Sequence, residues 1–196
     1  MFFYHISLIG LLLLSCIVQQ FLPPINGWYD ARILLLPLVV VCSAATTPTA
    51  GMLILTFLGG FLWDAQQILL IQGVDTEIYR DTYQSPIESM KFGYSILLFA
   101  LMGFLMQGIQ PLFKQGKWYL SAMLTGVAMS LYLTVEYLLL SFVRGGFDIT
   151  SGVFNQIGLT ALITMLASPL VFWILFQIAN LCRHEISYDS LRQRTY

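Results

Sequence analysis

Gly59-Gly60-Phe61-Leu62-Trp63-Asp64-Ala65-Gln66-Gln67 places a carboxylate and two amides inside an otherwise almost wholly apolar run from Gly51 to Ile71. What that acid is doing depends on the solvent around it. Hydrophobic residues make up 58% of the 196 residues and charged residues 10%, against about 25% charged in soluble domains. One domain of this size has no soluble core large enough to hide so much apolar surface, which makes lipid the expected solvent. The net charge is −1, and without a basic block nothing points to nucleic acid. Cys16, Cys42 and Cys182 lie in or beside apolar runs, with neither a disulfide framework nor metal-ligand spacing.

A hydrocarbon core of about 30 Å takes about 20 apolar residues per helix. The runs here are continuous rather than alternating, so they read as helices. Spans are expected at about 3–22, 33–46, 51–71, 94–113, 118–143 and 158–182. The breaks between them are Pro23-Pro24-Ile25-Asn26-Gly27, Thr46-Thr47-Pro48-Thr49-Ala50-Gly51, Lys114-Gln115-Gly116-Lys117 and Arg144-Gly145-Gly146; proline cannot continue a helical ladder. Phe2 to Leu22 lacks the basic region of a signal peptide, and Leu13-Leu14-Ser15-Cys16 is only loosely like a lipoprotein box. It reads as a retained first span. The second span is short, so it is tilted, re-entrant or set in a thinned bilayer. A five-span arrangement with 33–71 as one broken unit stands beside the six-span one.

Six spans put both termini on one side, with Lys114, Lys117, Arg183, Arg192 and Arg194. The other side holds Asp30, Asp75, Glu77, Asp81, Glu88 and Asp148 beside Arg32, Arg80, Lys91 and Arg144. The basic excess makes the first side cytoplasmic. The domain is then 1–182, followed by a short cytoplasmic tail, 183–196. Residues 72–92 and 144–157 are expected as outer loops, and Trp28, Tyr29, Trp118 and Tyr119 stand at span edges.

Two acids are left inside the spans, Asp64 and Glu136. Asp64 lies roughly 20 Å beyond the cytoplasmic turn at 1.5 Å per residue. There an acid costs about 2.5–3.5 kcal/mol and must face protein or water. Gly60, one turn earlier on the same face, would let a neighbouring helix approach, and Gln67 would extend the polar stripe. Asp64 reads as a buried packing residue, a ligand site or a contact with another membrane protein. Glu136, near the outer interface, snorkels or pairs with Arg144. Catalytic parts are missing: His5 and His184 lie at the edges, and no serine or cysteine has a neighbouring base. No enzyme activity, cofactor or metal is expected.

Arg32 before a short second span, the Thr/Pro turn into Gly51, Gly60-x-x-x-Asp64 and Gly93 opening the fourth span form an ordered set. A Phe-Lys turn and Pro169 within the last span complete it. Together, over roughly residues 15–182, they resemble the rod shape-determining protein MreD family of bacteria. The match departs at Ile68, where that family often has glycine, and in the length of the 72–92 stretch. The resemblance implies an all-α inner-membrane bundle of about six transmembrane helices, folded like the substrate-binding subunits of energy-coupling-factor transporters. It implies a non-enzymatic scaffold of cell-wall elongation, binding MreC. RodA, its penicillin-binding transpeptidase partner and MreB would form the wider complex, within membrane lipids. Asp64 and Gly60 match the family's third-span motif; Arg32 and Pro169 match less specific features. The competing class is a vitamin-binding transporter subunit of the same fold. Such subunits typically dock their coupling protein through an Ala-x-x-x-Ala face in the first span, and residues 3–22 contain no alanine. A proton-coupled carrier would have only Asp64 to work with.

Overall fold

Apolar runs with no two-residue alternation fold as helices because a helix satisfies its own backbone where water is absent. The computed structural model describes residues 2–23, 25, 27–28, 31–72, 93–113, 118–144 and 151–182. These form six helices: α1 Phe2–Gln20, α2 Leu35–Thr46, α3 Thr49–Gln72, α4 Tyr94–Phe113, α5 Trp118–Arg144 and α6 Ser151–Leu181. The only extended pairing among the described residues is a bridge between Ile25 and Ala31. It closes the turn after α1, where Gly27 takes a φ of +103°. The acidic stretch over 73–92, the Lys114–Lys117 turn and the tail from Arg183 lie outside the described residues.

α1, α5 and α6 are each long and apolar enough to cross a membrane. Their outward faces are apolar too. On α6, Leu162, Leu166, Leu170 and Trp173 are exposed at helical spacing, and on α1 so are Phe3, Leu14 and Ile17. The last helix starts earlier than its apolar content implies. Phe154 and Asn155, expected in a loop over 144–157, are helical and exposed. That extra length carries Val153, Gln156 and Ile157 to the wall of a cleft that α5 shares.

The short second helix is enclosed by protein. Every residue from Leu36 to Thr46 is buried, and α2 touches each of the other five helices. A helix apolar on all sides has no wet face and belongs at the centre. Twelve residues rise only about 18 Å, so both its ends are also enclosed, and their free backbone groups need partners.

Other helices supply them. Gln19 of α1 accepts the N–H groups of Leu35 at 2.6 Å and Leu36 at 3.3 Å, and donates to the Ile33 carbonyl at 3.0 Å. From α6, Thr160 Oγ1 and Thr164 Oγ1 accept the Arg32 and Leu34 N–H groups at 3.4 and 3.5 Å. At the far end, the Thr46 and Thr47 hydroxyls return to the Ser43 carbonyl at 3.0 and 2.8 Å. Tyr4 of α1 donates to Thr46 Oγ1 at 3.0 Å, and Gln107 of α4 donates to the Thr47 carbonyl at 3.3 Å.

Leaving a buried donor without a partner costs about 1–3 kcal/mol. Gln19→Ala therefore lowers stability by about that amount, whereas Gln19→Glu, which keeps the acceptor, loses less. Thermal unfolding in mild detergent, followed by circular dichroism, checks the order. Equal stability of Gln19→Ala and the parent chain would contradict the capping role.

Candidate functional site

The Gly-Gly pair lets α3 press against two helices at once. A Cβ on Gly59 would stand 2.5 Å from Val40 Cγ2 of α2, and one on Gly60 would stand 2.5 Å from Ile96 Cα of α4. Only hydrogen fits at either position. Met52, Thr56, Gly60 and Asp64, four residues apart, form one stripe on α3. Along it lie Gly103, whose Cβ would meet Met52 and Thr56, then Ile96, then Gly93. The two helices run antiparallel at the close approach that small residues allow.

Asp64 ends that stripe. It is buried, and its Oδ2 accepts the N–H of Gly93 at 2.7 Å. Gly93 precedes the first residue of α4, takes a φ of +110° that a side chain would disfavour, and gives its carbonyl to the Leu97 N–H. The carboxylate thus caps a helix start, where unpaired N–H groups and the helix dipole favour negative charge. The acid has a partner that its own stretch does not reveal, some 29 residues along the chain.

Gln67 does not extend the polar stripe: it is exposed. The buried amide is Gln66, which donates to the Cys16 carbonyl at 2.7 Å and touches Cys16 Sγ at 3.0 Å. Asp64 and Gln66 therefore face different neighbours, α4 and α1. Pro169 lies within α6 and leaves the Met165 carbonyl without its usual N–H. The hydroxyl of buried Ser168 donates to that carbonyl at 2.8 Å. Pro169 is thereby accommodated away from the other three predicted positions.

Glu136 has polar neighbours within the bundle. It is half-buried, faces the Tyr132 hydroxyl and the Trp63 indole, and lies within electrostatic reach of Asp64. The Tyr132 hydroxyl is fully buried and closes no hydrogen bond of ordinary geometry. An aromatic file crosses the bundle beside these acids: Trp63 to Phe99 at 6.5 Å and Phe99 to Tyr132 at 5.3 Å between ring centroids. The side chain of Arg144, the partner expected for Glu136, lies outside the described residues.

From the other side, Glu136 borders an open cleft of about 250 Å³ between α5, α6 and the approach to α2. Arg32, Tyr137, Gln156 and Thr160 line it with Leu34, Leu133, Leu140, Val153 and Ile157. Asp64, Glu136 and Arg32 thus follow one another from the α3/α4 contact to an open cleft. Sequence distance hid this, although the depths signalled it: Asp64 and Glu136 lie about 22 and 27 Å from the starts of α3 and α5. Among the described residues no cluster of three metal-ligating side chains occurs.

No family model, curated protein or solved structure matches the chain.

Two substitutions test the α3/α4 contact. Gly60→Ala, whose Cβ meets backbone, costs about 1–3 kcal/mol by overpacking; Gly59→Ala, which meets a movable methyl, costs less. Asp64→Asn keeps an acceptor for Gly93 and stays within about 1 kcal/mol of the parent, whereas Asp64→Leu loses about 1–3 kcal/mol. Unfolding midpoints in detergent read both series.

Proposed function

We propose that this chain is an integral membrane protein whose six described helices all lie in the bilayer, and that it is an MreD-like scaffold of bacterial cell-wall elongation. Its fold would resemble that of substrate-binding subunits of energy-coupling-factor transporters, in the inner membrane with both termini cytoplasmic. The observation that carries the reading is the Gly60-x-x-x-Asp64 face, the firmest motif of the resemblance. It is built as a close helix contact around one capped acid, rather than as a reaction centre. The role that follows is non-enzymatic: to hold MreC, and through it RodA, the penicillin-binding transpeptidase and the MreB filament. No cofactor or metal enters that role.

The vitamin-binding transporter subunit remains the second reading, favoured by the open cleft beside Glu136. Its volume, about 250 Å³, falls below the roughly 300–1,000 Å³ of sites that enclose drug-sized ligands. That argues for the scaffold.

Affinity purification of the tagged chain from membranes in mild detergent distinguishes the two. MreC and RodA are expected among the recovered proteins, and depletion of the chain is expected to round rod-shaped cells. Recovery of transporter ATPases in place of MreC would sink the scaffold reading.

A further inference from the structure

The cleft between α5 and α6 combines features that neither packing nor the scaffold role uses. Arg32 stands exposed at its rim. Its guanidinium offers a planar fork of donors suited to phosphate oxygens. Glu136 borders the same space, yet the two charges close no ion pair with each other. The remaining wall is mostly aliphatic, from Leu34, Leu133, Leu140, Val153 and Ile157, with Tyr137, Gln156 and Thr160 among them. A cation and an acid, held apart across a small apolar-walled space, are complementary to a molecule carrying an anion and a cation joined by a short linker.

We propose that this cleft binds the headgroup of a zwitterionic phospholipid bearing a primary ammonium, with the phosphate on Arg32 and the ammonium on Glu136. The ligand is a membrane lipid rather than a soluble metabolite for two reasons. Most of the wall comes from α5 and α6, both long and apolar enough to cross a membrane, so on the membrane reading molecules reach it from the lipid phase. A space of about 250 Å³ holds a headgroup but not acyl chains. Those run outside, along apolar surface of the kind that Leu138, Phe142 and Phe154 expose on the same helices. A primary ammonium can donate hydrogen bonds to the Glu136 carboxylate, which a trimethylammonium cannot. An anionic glycerol headgroup brings no cation at all. The proposal rests on the membrane reading but needs none of the elongation partners.

The test uses the purified full chain, delipidated in mild detergent and titrated with phosphatidylethanolamine, phosphatidylcholine or phosphatidylglycerol, with bound lipid counted by native mass spectrometry. Phosphatidylethanolamine is expected to bind about tenfold more tightly than the other two, as one charge-assisted hydrogen bond implies. Glu136→Gln removes its advantage over phosphatidylglycerol. Arg32→Gln, at an exposed position, weakens both about tenfold. Equal binding of the three lipids by the parent chain would overturn the proposal, as would unchanged binding by Arg32→Gln. Displacement of bound lipid by an equal concentration of water-soluble phosphoethanolamine would overturn the assignment to a lipid. Should Glu136→Gln fail to fold, the parent's selectivity and the Arg32→Gln arm still decide. Failure here leaves recovery of MreC unaffected, so the two readings fall separately.

Discussion

A helix enclosed on every side must have both its ends satisfied by its neighbours, and α2 imposes that constraint on the whole bundle. Its backbone groups cannot turn to water, so Gln19, Thr160 and Thr164 meet one end, and Tyr4 and Gln107 meet the other. Each of these side chains fixes the rotation of its own helix about its axis. α1 is held twice, through Tyr4 and Gln19, at opposite ends of α2. The apolar contacts supply area, but these hydrogen bonds choose among the many ways in which smooth apolar helices could pack.

A second constraint lies between α3 and α4. Hydrogen at Gly59 and Gly60 brings α3 close to both α2 and α4. That closeness puts the Asp64 carboxylate within 2.7 Å of the Gly93 N–H. Burying an acid is costly unless it is hydrogen-bonded, and the start of α4 offers donors already oriented toward it. The same packing aligns Trp63, Phe99 and Tyr132 across three helices, pairs worth about 0.5–1.5 kcal/mol each beyond their burial. Glu136 sits at the end of this file and opens onto the cleft with Arg32. Asp64, Glu136 and Arg32 therefore follow one another through the bundle, while Gln66 and the buried hydroxyls bond elsewhere.

Much of this architecture is legible in the order of residues alone. The helices over 94–113 and from Trp118 follow from charged or glycine-rich breaks flanking long apolar runs, and the Gly60/Asp64 face follows from a four-residue spacing. Other features are not legible there, for identifiable reasons. Gln66 and Gln67 are adjacent amides, and only the direction of α1 decides which one is buried. The first turns of α6 look like loop because Gly152, Asn155 and Gln156 interrupt the apolar run, and glycine and asparagine are poor helix residues; propensity is a weak guide, and the structure carries the helix through them. That α2 is buried on every side could not be read from its composition, which is apolar in every direction and would suit lipid as well as protein.

By itself the sequence determined that this chain is helical and apolar outside as well as inside. It also determined that one face of the third helix must meet a neighbour closely. Helical periodicity is enough for that, because it states which residues share a face. It does not state what lies opposite that face. That Asp64 caps the start of α4, that Gln19 caps α2, and that Glu136 and Arg32 share one cleft were decided only by the tertiary structure. Each of these meetings depends on the rotation and depth of a second helix, and those are set by contacts among all six.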